Sequence, residues 1–159
     1  MAESIYIETT IPSLYVGRTS SLLVEAARQQ LTRDWWDRHR SEFDLVCSQT
    51  VLDECSRGEV EMAAKRLDLL GSIPLLELSD DVVKISEELL KREIIPIKAA
   101  DDAIHIAVAS VHKIDYLLTW NCRHLANPRI WRRISDCLAS YGYRSSIICT
   151  PEDLIGDDC

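Results

Sequence analysis

A few polar side chains stand in this sequence where packing alone would not put them. Glu8 closes the apolar run "SIYIE", directly behind Ile5 and Ile7. A carboxylate at the end of a buried strand is costly to desolvate unless it is paired or holds a cation. A helix cap or an ion pair would satisfy it equally well. Asp102 lies inside "KAADDAIHIAVASVH", a segment with hardly any polar face. Neighbouring helical residues point about 100° apart, so only one of Asp101 and Asp102 can face a given site. Asp101 suits the first turn of a helix, where the dipole favours negative charge. His105 follows Asp102 by one turn on the same side; by itself it reads as a core histidine with its hydrogen bonds met. Glu54 sits beside Val51 and Cys55 and, alone, reads as a solvated helical glutamate. In "YLLTWNCRHL" an apolar run gives way to Thr119, Asn121, Arg123 and His124. Acidic groups gathered in one place are the usual holders of hard divalent cations.

These side chains must be positioned by regular elements. "SIYIE" reads as a first short buried strand, and Pro12 and Gly17 interrupt the stretch after it. A helix is predicted from Ser21 to Arg40, with Leu23, Ala27, Leu31 and Trp35 on its inner face. "FDLVC" (Phe43–Cys47) is a second strand. Ser48 or Thr50 caps the next helix, which turns Val51, Leu52 and Cys55 inward and ends near Gly58. A helix from Val60 to Leu70 is stopped by Gly71. "IPLLEL" (Ile73–Leu78) is a third strand, and Ser79 caps a helix that buries Val82, Ile85 and Leu89. After Pro96 comes the Asp102 helix, which is central and buried. "DYLLTW" is a fourth strand, Pro128 opens a helix that stops at Gly142, and "SIIC" is a last strand. Strands alternating with helices imply an α/β chain, a mostly parallel sheet of about five strands covered on both faces. In open sheets of this kind, sites lie beyond the carboxyl ends of the strands. Glu8, Cys47–Gln49, Leu78–Ser79 and Thr119–Asn121 fall there.

At 159 residues the chain suits one domain, residues 1–159. Its 47% hydrophobic and 28% charged content is that of a folded globular protein. No apolar stretch nears the roughly 20 residues that span a bilayer. "MAESIYIETT" has no basic region followed by an apolar core, so the expected compartment is the cytoplasm. The six cysteines form no C-x-x-C pair and are expected to be reduced, mostly as small core residues. A net charge of −8 argues against broad electrostatic capture of nucleic acid, though not against a local basic strip. Dinucleotide and nucleotide loops, the H-E-x-x-H zinc motif and the G-x-S-x-G elbow are all missing.

Taken together, "YIETTIPSLY", "SQTVLDECSRGE", "KAADDAIHIAVA" and "YLLTWNCRHLAN" resemble, in order and spacing, the PIN-domain family of VapC-type toxins from bacterial toxin–antitoxin pairs. The resemblance runs over nearly the whole chain. It implies a three-layer α/β/α sandwich. It also implies four site positions, here Glu8, Glu54, Asp102 and Asn121. Two depart from the pattern: the first is commonly Asp, and the fourth is commonly Asp rather than an amide. The implied cofactor is Mg²⁺ or Mn²⁺, held by Glu8 and Asp102 with Glu54 nearby, and the implied activity is hydrolysis of RNA. Glu54 would orient or deprotonate the attacking water, and Asn121 would place a water or the scissile phosphate. Thr9 and Thr119 would support the shell. Losing an acid at Asn121 makes a second cation less secure.

Arg123 and Lys98 are the candidate RNA contacts, with Arg129, Arg132 and Arg133 close in sequence. Trp120 would stack on a base or pack in the core. The implied partners are the RNA substrate, a small antitoxin and a second copy of the chain, with no membrane. Two further readings stay open. One is a PIN domain impaired in catalysis that binds RNA or protein. The other is a metal-dependent phosphatase, although no D-x-D comes after the first strand.

Overall fold

Five short parallel strands form the middle layer of the computed structural model, which describes residues 1–156. Cys159 lies outside them. The central strand β1 (Ser4–Ile7) pairs on one side with β2 (Asp44–Ser48) and on the other with β4 (Tyr116–Leu118). Strands β3 (Leu75–Leu76) and β5 (Ile147–Cys149) form the edges, giving the order β3-β2-β1-β4-β5. In β1 the residues Ile5, Tyr6 and Ile7 are all fully buried. Consecutive burial on a strand means both faces are covered, as parallel sheets require.

The covering helices are α1 (Thr10–Val16), α2 (Leu23–Arg38), α3 (Gln49–Cys55), α4 (Val60–Leu70), α5 (Asp80–Lys91), α6 (Ala100–Val111) and α7 (Pro128–Ser140). They flank the sheet in an α/β/α sandwich. Helix α1 packs against α2 and α4, while α5 packs against α6 and α7. Ser79 caps α5 and Asn127 caps α7, which has Pro128 in its first turn. Gly71 ends α4 with φ of 50°, a left-handed conformation that glycine adopts without strain. The chain builds outward from β1 through β2 to β3, then returns to place β4 on the other side. The two halves therefore diverge between β1 and β4, where open α/β sheets form their crevices.

Several elements differ from the sequence expectation. Helix α1 replaces the predicted interruption, because Pro12 falls within the first helical turn, where its missing N–H costs nothing. Helix α2 starts later and ends earlier than predicted, and its inner face is rotated. Leu23 is 86% exposed, and the buried residues are Gln29, Thr32, Trp35 and Trp36. Two polar side chains are buried there because their bonds are met: the Gln29 amide donates to the Arg18 carbonyl and accepts from the Ser20 N–H, and the Thr32 hydroxyl accepts from Trp120 Nε1. The third strand shrinks to two residues, although the Cys47 N–H still reaches the Pro74 carbonyl at 3.0 Å. Short edges of this kind resist pairing with other chains. Among the described residues the cysteines are free, and four of the five are buried. Among the same residues, no helix is long and apolar enough to cross a membrane.

Candidate metal centre at the strand ends

Glu8 is the first residue past β1, and its N–H still pairs with the Leu118 carbonyl at 3.2 Å. The side chain is 3% exposed. Its Oε1 accepts from the Thr10 N–H at 3.0 Å, from the Thr10 hydroxyl, and from the Thr119 hydroxyl at 2.7 Å. The carboxylate thus sits at the start of α1, where the helix dipole favours it. Glu54, in the last turn of α3, is anchored in the same way. Its Oε1 accepts from the Thr9 hydroxyl at 2.8 Å and faces His105 Nε2 at 2.6 Å. Asp102, in the first turn of α6, accepts through Oδ2 from Asn121 Nδ2 at 3.0 Å. In all three carboxylates these bonds fall on a single oxygen. The other oxygen of each takes no part in these bonds.

Glu8, Asp102 and His105 each bring one ligand-type atom to within 4.8 Å of the others, and Glu54 joins them through His105. Burial and crowding show in the acidities. Burial first, with the Glu8 and Glu54 charges and against His105 and the Asn121 bond, pushes Asp102 up to about 6. For Glu54, burial also pulls upward, but the bond and charge of His105 and the Thr9 bond outweigh it, so the carboxyl lies below its usual range. Burial lowers His105, yet the Glu54 bond and the surrounding carboxylates leave it raised. Hard oxygens in mutual repulsion fit Mg²⁺ or Mn²⁺.

Asn121 comes after β4, and both its amide oxygen and its amide nitrogen are engaged. Its Oδ1 accepts from the Arg123 and His124 N–H groups at 3.2 and 3.0 Å, while Nδ2 holds Asp102. The amide therefore stabilises a turn and orients a carboxylate. Its oxygen is engaged in the turn, while the amide nitrogen carries a second hydrogen beyond the bond to Asp102. Asp101 points elsewhere, to Arg57 at 3.4 Å. Trp120 is packed, not open for stacking: Nε1 donates to Thr32 at 2.7 Å and the Arg28 guanidinium lies 5.2 Å from the ring centre.

Beside the carboxylates lies a recess of about 460 Å³, lined by Glu54, Asp102, Arg57, Lys98 and His124 among others. Lys98 is where the sequence placed a cation. Arg123 gives its backbone N–H to Asn121 and does not line this recess.

Sequence reasoning missed Thr10, Tyr6, Ser48 and Arg57. Thr10 was visible as the neighbour of Glu8. Tyr6 looked like a core strand residue, and Ser48 like a helix cap. Instead the Ser48 hydroxyl makes no cap bond and lies 2.7 Å from the Tyr6 hydroxyl, which is 2.7 Å from His105 Nδ1.

No family model matches the sequence, and no curated protein matches it. Solved structures do. A chain in the crystal structure of VapBC2 from Rickettsia felis, bound to a DNA fragment from its promoter, aligns with a TM-score of 0.55 at 15% identity. The alignment covers 92% of this chain and 98% of that one. A chain of VapBC-5 from Mycobacterium tuberculosis aligns over 74% of this chain and 85% of its own, with a TM-score of 0.45 and 15% identity. The fold is shared with the VapBC2 chain and is a PIN-like α/β/α sandwich. Within that class, the chain carries a candidate divalent-cation cluster at its strand ends.

Proposed function

We propose that the protein is a Mg²⁺- or Mn²⁺-dependent endoribonuclease and the toxin component of a type II toxin–antitoxin pair. The observation that carries this reading is the pairing of roles in Glu8, Glu54 and Asp102. Each has one oxygen tied to the fold, and Glu8 and Asp102 cluster with His105, to which Glu54 is bonded. Glu8 and Asp102 hold the cation, with Glu54 beside them. A cation bound there supplies positive charge for a phosphoryl oxygen and acidifies water. Glu54, ionised below the usual range, accepts a proton from attacking water or orients it. Thr9, Thr10 and Thr119 keep the carboxylates from turning away. Lys98 and Arg57 give the adjoining recess the positive charge that an RNA backbone needs. Arg123 meets RNA outside that recess.

Cleavage of single-stranded RNA, with and without Mn²⁺, tests the reading against Asp102→Ala. Cation-dependent cutting by the wild type and none by the variant is the expected result. Equal cutting by both sinks the catalytic claim. Asn121 favours a second reading, a PIN domain that binds RNA or protein without cutting, because an amide stands where the resemblance has an acid. Under that reading RNA binds with no cleavage in any divalent ion. The partners belong to the same proposal: a small antitoxin and a second copy of the chain, supported by the shared fold with a VapBC assembly. Light scattering on the isolated protein checks for the dimer, and the cytoplasm is the compartment where its RNA would be met.

A further inference from the structure

His105 can be read in two ways. Its place within 4.8 Å of Glu8 and Asp102 makes it a candidate nitrogen ligand. Its hydrogen bonds argue otherwise. The ring is fully buried and both nitrogens are engaged, Nε2 with Glu54 at 2.6 Å and Nδ1 with Tyr6 at 2.7 Å. An ionised carboxylate only accepts, so Nε2 must carry a hydrogen. The neutral ring then has one lone pair, on Nδ1, and the Tyr6 hydroxyl donates to it. The protonated ring has none. In neither form does a nitrogen face a cation with a free lone pair.

The chain of bonds continues inward. The Tyr6 hydroxyl also meets the Ser48 hydroxyl at 2.7 Å, and all of Tyr6, Ser48 and His105 are fully buried. Tyr6 comes from the central strand, Ser48 from the end of β2, His105 from α6 and Glu54 from α3. Four elements are thus joined by one line of hydrogen bonds that ends on a carboxylate at the site. Burying three polar side chains without need would be costly. A Phe at position 6 and an apolar residue at position 105 would serve packing alone. What the line adds is a fixed direction for Glu54.

We propose that His105 is not a ligand of the cation but the holder of Glu54, and that Tyr6 and Ser48 are positioning residues that fix His105. This rests on the metal-dependent nuclease reading above and assigns roles within the same site. The cation is then met by oxygens alone, and Glu54 keeps its reach to water because its other oxygen is pinned.

Mn²⁺ is the probe. Loss of the free Mn²⁺ electron paramagnetic resonance signal on adding wild-type protein establishes binding; no loss overturns both the nuclease reading and this proposal. On the bound ion, pulsed resonance reads directly bonded nitrogen without any substitution. Its absence is the expected result. A nitrogen coupling that vanishes in His105→Gln overturns the proposal while leaving the nuclease reading intact. Tyr6→Phe then tests the positioning role. We expect kcat for RNA cleavage to fall about 10- to 100-fold, as for other residues that orient a site from behind, with KM and Mn²⁺ affinity unchanged. An unchanged kcat overturns the role, and so does an Mn²⁺ affinity that falls in step with kcat. Should Tyr6→Phe not fold, Ser48→Ala is read by the same split. If the wild type binds Mn²⁺ through oxygen alone but cuts no RNA, the nuclease reading fails, and the nitrogen measurement still supports His105 as a non-ligand.

Discussion

Asn121 decides how much charge the site carries. Its amide donates to Asp102 and neutralises nothing, whereas an acid in its place would add a second carboxylate close to the first. Asn121→Asp should therefore lower the melting temperature of the metal-free protein, since like charges at this distance repel. It should also enlarge the rise in melting temperature that Mn²⁺ produces. Calorimetry with and without Mn²⁺ checks both, and a variant unchanged in each would mean that position 121 does not face the cation. Asp102 gives a pH signature of its own. Its carboxyl, ordinarily near 3.8, is pushed up to about 6 by burial. Between those values the folded state keeps a proton that the unfolded state releases. Asp102 thus favours folding at low pH and loses that contribution as pH rises through about 6. The metal response runs the other way, weakening as pH falls below about 6 because the proton competes with the cation. Melting curves of wild type and Asp102→Asn across this range isolate the effect; parallel pH profiles would refute it.

At the level of elements, the site hangs on the junction of β1, β4 and α1. Thr119 follows β4, with its hydroxyl donating to Glu8 and accepting from the Asn121 N–H at 2.9 Å. Thr10 opens α1 by binding Glu8 through both its N–H and its hydroxyl, and the same hydroxyl accepts from the Trp120 N–H at 2.8 Å. Thr119→Val keeps the shape but leaves buried groups unsatisfied, at a cost of about 1–3 kcal/mol. Denaturant unfolding should show this loss and Thr119→Ser should recover most of it. The alternation of strands and helices was legible in the sequence because apolar period and turn residues agree over β1, α4, α5, α6 and α7. Glu8, Asp102 and the polar cluster at Thr119–Asn121 were legible too, as polarity breaking an apolar run. Helix α1 was not, since seven residues containing Pro12 carry no clear period. The inner face of α2 was misread because Gln29 and Thr32 are buried by hydrogen bonds, which a hydrophobic pattern cannot report. Ser48 and Tyr6 were missed because their bonds join parts of the chain far apart in sequence.

For the molecule as a whole, the clustered carboxylates repel one another, and a cation held between them would offset that repulsion. Mg²⁺ or Mn²⁺ bound only by the folded state should raise the melting temperature, by the equivalent of about 2.7 kcal/mol at a hundred times its dissociation constant. A thermal shift series in millimolar Mg²⁺ measures it, and a flat response would count against the centre. Five strands in the order β3-β2-β1-β4-β5 also mean that Glu8 waits between two halves of the chain. Glu54 arrives with the half that comes after β2, and Asp102 only with the helix that precedes β4. During synthesis, a ribosome must release most of the chain before those three carboxylates can meet. Every truncated product ending before α6 lacks Asp102, and with it the cluster at the strand ends.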